Sequence, residues 1–130
     1  MRILAVDYGF KRVGLASCDD RLGVVLPKAV LIRKNNDKLL EVLLKICISD
    51  EYEKVVFGLP LNMDGGEGKQ YLLTKKFADM FATAIKDRGL NISVDFVDER
   101  LSSFEAEKYS TEKGKIDMMA AKIILERYLE

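Results

Sequence analysis

The chain has 130 residues, 48% of them hydrophobic, with 21 Lys plus Arg against 21 Asp plus Glu and a formal net charge of zero. That is enough apolar material for one domain spanning 1–130 with a real core. It excludes a strongly basic nucleic-acid coat, so any polyanion site has to be a local patch.

Histidine is absent. This excludes Ser-His-Asp and Cys-His catalysis and histidine-ligated zinc. Carboxylates and lysines must carry any chemistry, and an acid-rich chain without histidine points toward oxygen-ligated Mg²⁺ or Mn²⁺. Cys18 and Cys47 form no CxxC pair and read as small buried hydrophobes in a reducing compartment. The chain opens on MRILAVD, without a signal-peptide pattern, and no apolar run approaches membrane-spanning length. The expectation is a cytoplasmic protein with no membrane partner.

In chain order, Ile3 to Val6 is a short apolar run that reads as a buried strand ending in Asp7. A glycine turn and the cations Lys11 and Arg12 lead into a second run, Val13 to Ala16, which makes a hairpin. Asp7 either caps the turn through backbone N–H groups or holds a divalent cation with acids from elsewhere. Asp19 and Asp20 beside Gly23 read as a solvated turn. Val24 to Ile32 is a third strand, and its Pro27 suggests an edge position or a bulge. Leu39, Leu40, Leu43, Leu44 and Cys47 set an amphipathic helix over 36–50. Val55 to Gly58 is a fourth strand, entered by crossover.

The stretch from Gly58 to Gly68 is a glycine-rich loop at a strand's carboxyl end, either a ligand position or a plain connector, and it lacks the Walker sequence. A long helix over 69–88 ends at Gly89, and a fifth strand from Ile92 to Val97 runs into Asp98, Glu99 and Arg100. A short helix over 101–108, a polar mobile loop over 111–115 and a last helix over 117–129 complete the chain. At about 100° per residue, Ala120, Ala121, Ile124, Leu125 and Tyr128 share a face, and Asp117 falls in the middle of it. Asp117 is either an N-cap or an inward acid, and an inward acid needs partners because unpaired burial is costly. The order implies an α/β fold: a mixed sheet of three antiparallel strands and two parallel additions, with helices on both faces.

Three acids stand out: Asp7, Glu99 and Asp117. If strands one and five finish at one sheet edge, the three could bind one or two divalent ions. Two ions about 3.5–4 Å apart activate a water and stabilise the leaving oxygen in phosphodiester cleavage. Lys11, Arg12 and Arg100 lie beside the acids in sequence and either receive phosphates or balance charge at the surface.

The segments AVDYGFKRVGLA, FGLPLNMDGGEG, DER followed by LSSFEAE, and KIDMMAAKIILERYL occur in this order over nearly the whole chain. Together they resemble the YqgF/RuvX family. The resemblance implies an RNase H-like fold, similar to Holliday-junction resolvases, and a nuclease maturing the 5′ end of pre-16S ribosomal RNA. It implies that Asp7, Glu99 and Asp117 form a metal-binding catalytic triad, and that Lys11, Arg12, Asn62 and Arg100 face nucleic acid. Phe10, the Ser102-Ser103 pair, Met118-Met119 and a short loop before Asp117 depart from the family's pattern.

The leading expectation is therefore a Mg²⁺- or Mn²⁺-dependent endonuclease on structured RNA. A resolvase acting on branched DNA, which favours a homodimer over a monomer, is the enzymatic alternative. A non-catalytic nucleic-acid-binding module and a nucleotide-binding relative of the sugar-kinase and actin fold are the others.

Overall fold

The computed structural model describes residues 1–61, 65–99 and 113–130, the first four residues of the last helix by backbone alone. Strand β1 (Arg2–Tyr8) and strand β2 (Arg12–Asp19) form the expected hairpin, and strand β3 (Val24–Ile32) pairs antiparallel with β2. Helix α1 (Asn36–Ser49) crosses to strand β4 (Lys54–Leu59), which lies parallel to β1. Helix α2 (Lys69–Asp87) crosses to strand β5 (Ser93–Asp98), parallel to β4. Helix α3 (Lys113–Tyr128) ends the chain. The sheet order is β3-β2-β1-β4-β5.

Period-2 alternation divides the sheet residues between two cores. Leu4, Val6, Val13, Leu15, Val55 and Phe57 face α1 and α2, where Phe57 meets Phe77 and Phe81 edge-on. Ile3, Ala5, Ala16, Cys18 and Val56 face α3, against Ala121, Ile124 and Leu125. Helices thus cover both faces, as the pattern requires.

Pro27 fits both readings made of it. β3 is an edge strand, and the register with β2 slips from Leu15↔Ala29 to Ala16↔Pro27, leaving Lys28 bulged. The bulge turns Lys28 to Asp50, the C-cap of α1, at 2.6 Å. Asn35 caps α1 through Lys38 N–H, and Gly89, at φ 64°, follows the end of α2. Both cysteines are buried and free.

Two expectations need correction. The loop drawn over 111–115 gives way to helix from Lys113. Lys113, Gly114 and Lys115 offer no apolar residue to register a helical face, so the pattern could not reveal this turn. Asp117 is accordingly the fifth residue of α3 rather than its N-cap. The short helix expected over 101–108 lies outside the described residues. Among the described residues, no helix is long and apolar enough to cross a membrane.

Candidate active site

Asp7 sits one residue before the end of β1, on the α3 side with Ile3 and Ala5. Glu99 follows β5 directly, its N–H donating to the Leu59 carbonyl at 3.1 Å, so the β4–β5 ladder carries it to the same rim. Its neighbour Asp98 is exposed, whereas Glu99 is only 6% exposed. The two carboxyls, from different strands, are hydrogen-bonded to each other.

Two small strand residues allow this meeting. Gly14 stands opposite Asp7 in the hairpin register, and any side chain there would collide with the Asp117 backbone. Gly58 lies one residue beyond the Val6↔Phe57 pair, and a Cβ there would come within 2.7 Å of the Glu99 carboxyl carbon and crowd Ile124. The two glycines are the cradle in which α3 and Glu99 approach the sheet. Sequence reasoning passed over both. The available signal was a glycine inside an otherwise apolar strand, which marks a close backbone approach.

Asp117 enters from the helix side. Its carboxylate accepts from Arg12 Nε at 2.7 Å, a half-buried ion pair between β2 and α3. Arg12, expected to face nucleic acid, is thus turned onto the third acid. Lys11 remains exposed in the β1–β2 turn. Asn62 and Arg100 lie outside the described residues. Asp19 holds Arg21 at 2.7 Å and Asp20 holds the N-terminal amine at 2.9 Å, so both serve the turn as expected.

The electrostatics of the rim follow from this packing. Burial pushes the Asp7 carboxyl up, the Asp117 charge adds to the push, and the hydrogen bond with Glu99 pulls part of the way back, leaving it at about 6. Such a pair requires either a shared proton or a cation. The donor chemistry, carboxylate oxygens in a chain without histidine, fits a hard divalent ion. The geometry is not preassembled: among the described residues, no three acids are gathered closely enough to hold an ion as they stand. Arg12 supplies the positive charge that Asp117 would otherwise seek.

A five-stranded sheet of this order, three strands antiparallel and two parallel, with acids at the carboxyl ends of β1 and β5, defines an RNase H-like protein. The model of the RuvX family, described as Holliday junction resolvase, matches residues 1–130, and the chain belongs to that family. It is 41% identical over 138 residues to a protein of Syntrophomonas wolfei named "Putative pre-16S rRNA nuclease", covering 100% of this chain and 94% of the other. It is 38% identical to a Halothermothrix orenii protein of the same name, covering 99% and 94%. Among solved structures, Thermus thermophilus RuvC in complex with Holliday junction substrate superposes with a TM-score of 0.62 over 99% of this chain and 94% of that one. At 11% identity that likeness is one of fold.

Proposed function

We propose that the chain is a metal-dependent endonuclease that hydrolyses phosphodiester bonds in structured RNA and matures the 5′ end of pre-16S ribosomal RNA in the cytoplasm. The observation that carries this reading is the joined Asp7–Glu99 carboxyl pair with Asp117 beside it, drawn from β1, β5 and α3. The names of the full-length relatives support the substrate.

Asp7, Glu99 and Asp117 would hold Mg²⁺ or Mn²⁺. When bound, the cation supplies Lewis-acid polarisation of the phosphoryl oxygen and lowers the pKa of a bound water. The chain's own residues do the rest. Asp7 and Glu99 offer oxygens from two fixed strand ends, so that only the Asp117 carboxylate has to be drawn in to complete the donor set. Arg12 neutralises Asp117, and with that carboxylate engaged as a metal ligand the guanidinium would be free to face the substrate backbone. Lys11 meets a phosphate from the exposed turn, and Asn62 and Arg100 serve the same backbone.

Purified protein with Mg²⁺ should cut a precursor RNA carrying the 5′ extension of the 16S sequence. Asp7→Asn should lower the rate by on the order of a thousandfold. An unchanged rate in that variant overturns the assignment. The family's description favours a second reading, resolution of a four-way DNA junction. A junction offered in the same assay decides between them by which substrate is cleaved.

A further inference from the structure

The β1–β2 turn carries an exposed aromatic that the carboxylate chemistry does not use. Phe10 is 68% exposed, three residues beyond Asp7 and between the acidic rim and the exposed Lys11. A large aromatic costs solvation free energy when left in water, and this one is also held still. Arg33 donates from Nε to the Phe10 carbonyl at 2.7 Å, and its backbone N–H donates to the Lys11 carbonyl at 2.8 Å. Its guanidinium lies 5.0 Å from the centroid of the Phe10 ring and 5.9 Å from that of Tyr8. Asn36 Oδ1 accepts from the same guanidinium at 3.2 Å and from the Tyr8 hydroxyl at 2.8 Å. Arg33 therefore anchors the turn to β1 and α1, and the ring stands on a fixed base with much of its surface in solvent.

From this geometry we infer that Phe10 is a stacking platform for one unstacked nucleobase of the substrate, and so a specificity-determining residue favouring single-stranded or looped nucleotides next to the cleaved bond. Three features argue for a base over an apolar partner. Cations accompany the ring: Lys11 is exposed in the same turn, and the Arg33 guanidinium lies against the ring. Phe10 is three residues beyond Asp7 on the same turn, so their Cα atoms lie within about 10 Å of each other, and a nucleotide next to a bond held at the rim can reach the turn. A rigid aromatic flanked by positive charge is the arrangement by which single-stranded nucleic acid is held, with stacking on the ring and phosphates on the cations. Bases paired inside a duplex have no free face to offer, so the platform discriminates by strandedness rather than by sequence. The inference rests on the nuclease reading for its substrate, but not on turnover.

The chain contains no tryptophan, so Phe10→Trp introduces a single fluorescent reporter that keeps a stacking surface at the position. In EDTA, where the RNA stays intact, a single-stranded oligoribonucleotide should quench that tryptophan, and an abasic oligomer of equal length and charge should not. Phe10→Ala, which removes an exposed ring and leaves the core untouched, should weaken binding of the intact oligomer about 5- to 150-fold. It should leave the salt dependence of binding unchanged, since no phosphate contact is lost. Equal quenching by the abasic oligomer, no quenching at all, or wild-type affinity in Phe10→Ala overturns the inference. If the wild-type protein cuts RNA in Mg²⁺ while Phe10→Ala binds as the wild type does, the platform fails and the nuclease reading stands. Base-dependent quenching in a protein that never cleaves has the opposite meaning.

Discussion

At the scale of single residues, the rim is organised around a charge the fold does not favour. The Asp7 carboxyl is raised from an ordinary value of 3.8 to about 6. A raised folded-state value means that the folded protein holds this proton more tightly than the unfolded chain does. Stability from the group is therefore present in full below the unfolded value, and it is lost as pH rises through about 6. Asp7→Asn removes the titrating charge while retaining a polar side chain beside Glu99. Without added metal, the variant should be more stable than the wild type at pH 8, by roughly 1–3 kcal/mol after allowance for partial solvation. The gain should shrink as pH falls through 6 and be gone near pH 4. Thermal melts of the two proteins across that range measure it. Asp19, Asp50 and Asp95 are shifted down by Arg21, by Lys28 and by the Phe96 backbone N–H, and they cost stability at still lower pH. They are common to both proteins, so the difference between the melting curves isolates Asp7. A constant difference at every pH would mean that the carboxyl is not perturbed.

At the scale of elements, the site exists because α3 can lie close against the sheet. Several of the residues beneath it are small: Ala5, Gly14, Ala16 and Gly58. Gly14→Ala and Gly58→Ala should differ in an informative way. A methyl at Gly14 meets the backbone of Asp117, which cannot yield without moving the helix, so the cost should be about 2–4 kcal/mol. A methyl at Gly58 meets the ends of the Ile124 and Glu99 side chains, which can shift. It should cost less stability and instead displace Glu99, lowering activity more than folding. Urea unfolding and RNA cleavage on the two variants separate these effects, and equal stability losses would contradict the cradle.

Much of this was open to reading from the chain itself. The two long helices follow from apolar periodicity, because each buries one face in one core, and the central strands follow from unbroken apolar runs, because they bury both faces. The three acids could be chosen because each breaks an apolar pattern where burial was expected. The partnerships between them could not be read, since Asp7 lies opposite Gly14 only through the hairpin register. Arg12 looks like an ordinary turn cation until the fold brings it to a carboxylate 105 residues away. The first three residues of α3, Lys113, Gly114 and Lys115, carry no apolar side chain, and periodicity is silent there.

At the scale of the whole molecule, the sheet separates a thick core from a thin one. The thick side holds the Phe57, Phe77 and Phe81 cluster under α1 and α2, and the thin side holds α3 and the acids. Positive charge is as local as the site. With 21 cations against 21 acids, the molecule has no general attraction for a polyanion. Several of its cations are already committed, Arg12 to Asp117, Arg21 to Asp19 and Lys28 to Asp50. Nucleic-acid binding would then rest on a few contacts, from Lys11 in the β1–β2 turn, from Arg33 against that turn and from the proposed Arg100. Each phosphate neutralised contributes a slope of about −0.7 to −0.9 to the logarithm of affinity against the logarithm of salt. Three or four such contacts predict a slope of about −2 to −4, which fluorescence anisotropy with labelled RNA in EDTA can measure across a salt series. Lys11→Ala should make that slope shallower by about one such contact. A slope steeper than about −6 would require a broad basic surface that a neutral chain of this composition cannot supply, and binding would then have to be centred away from the rim.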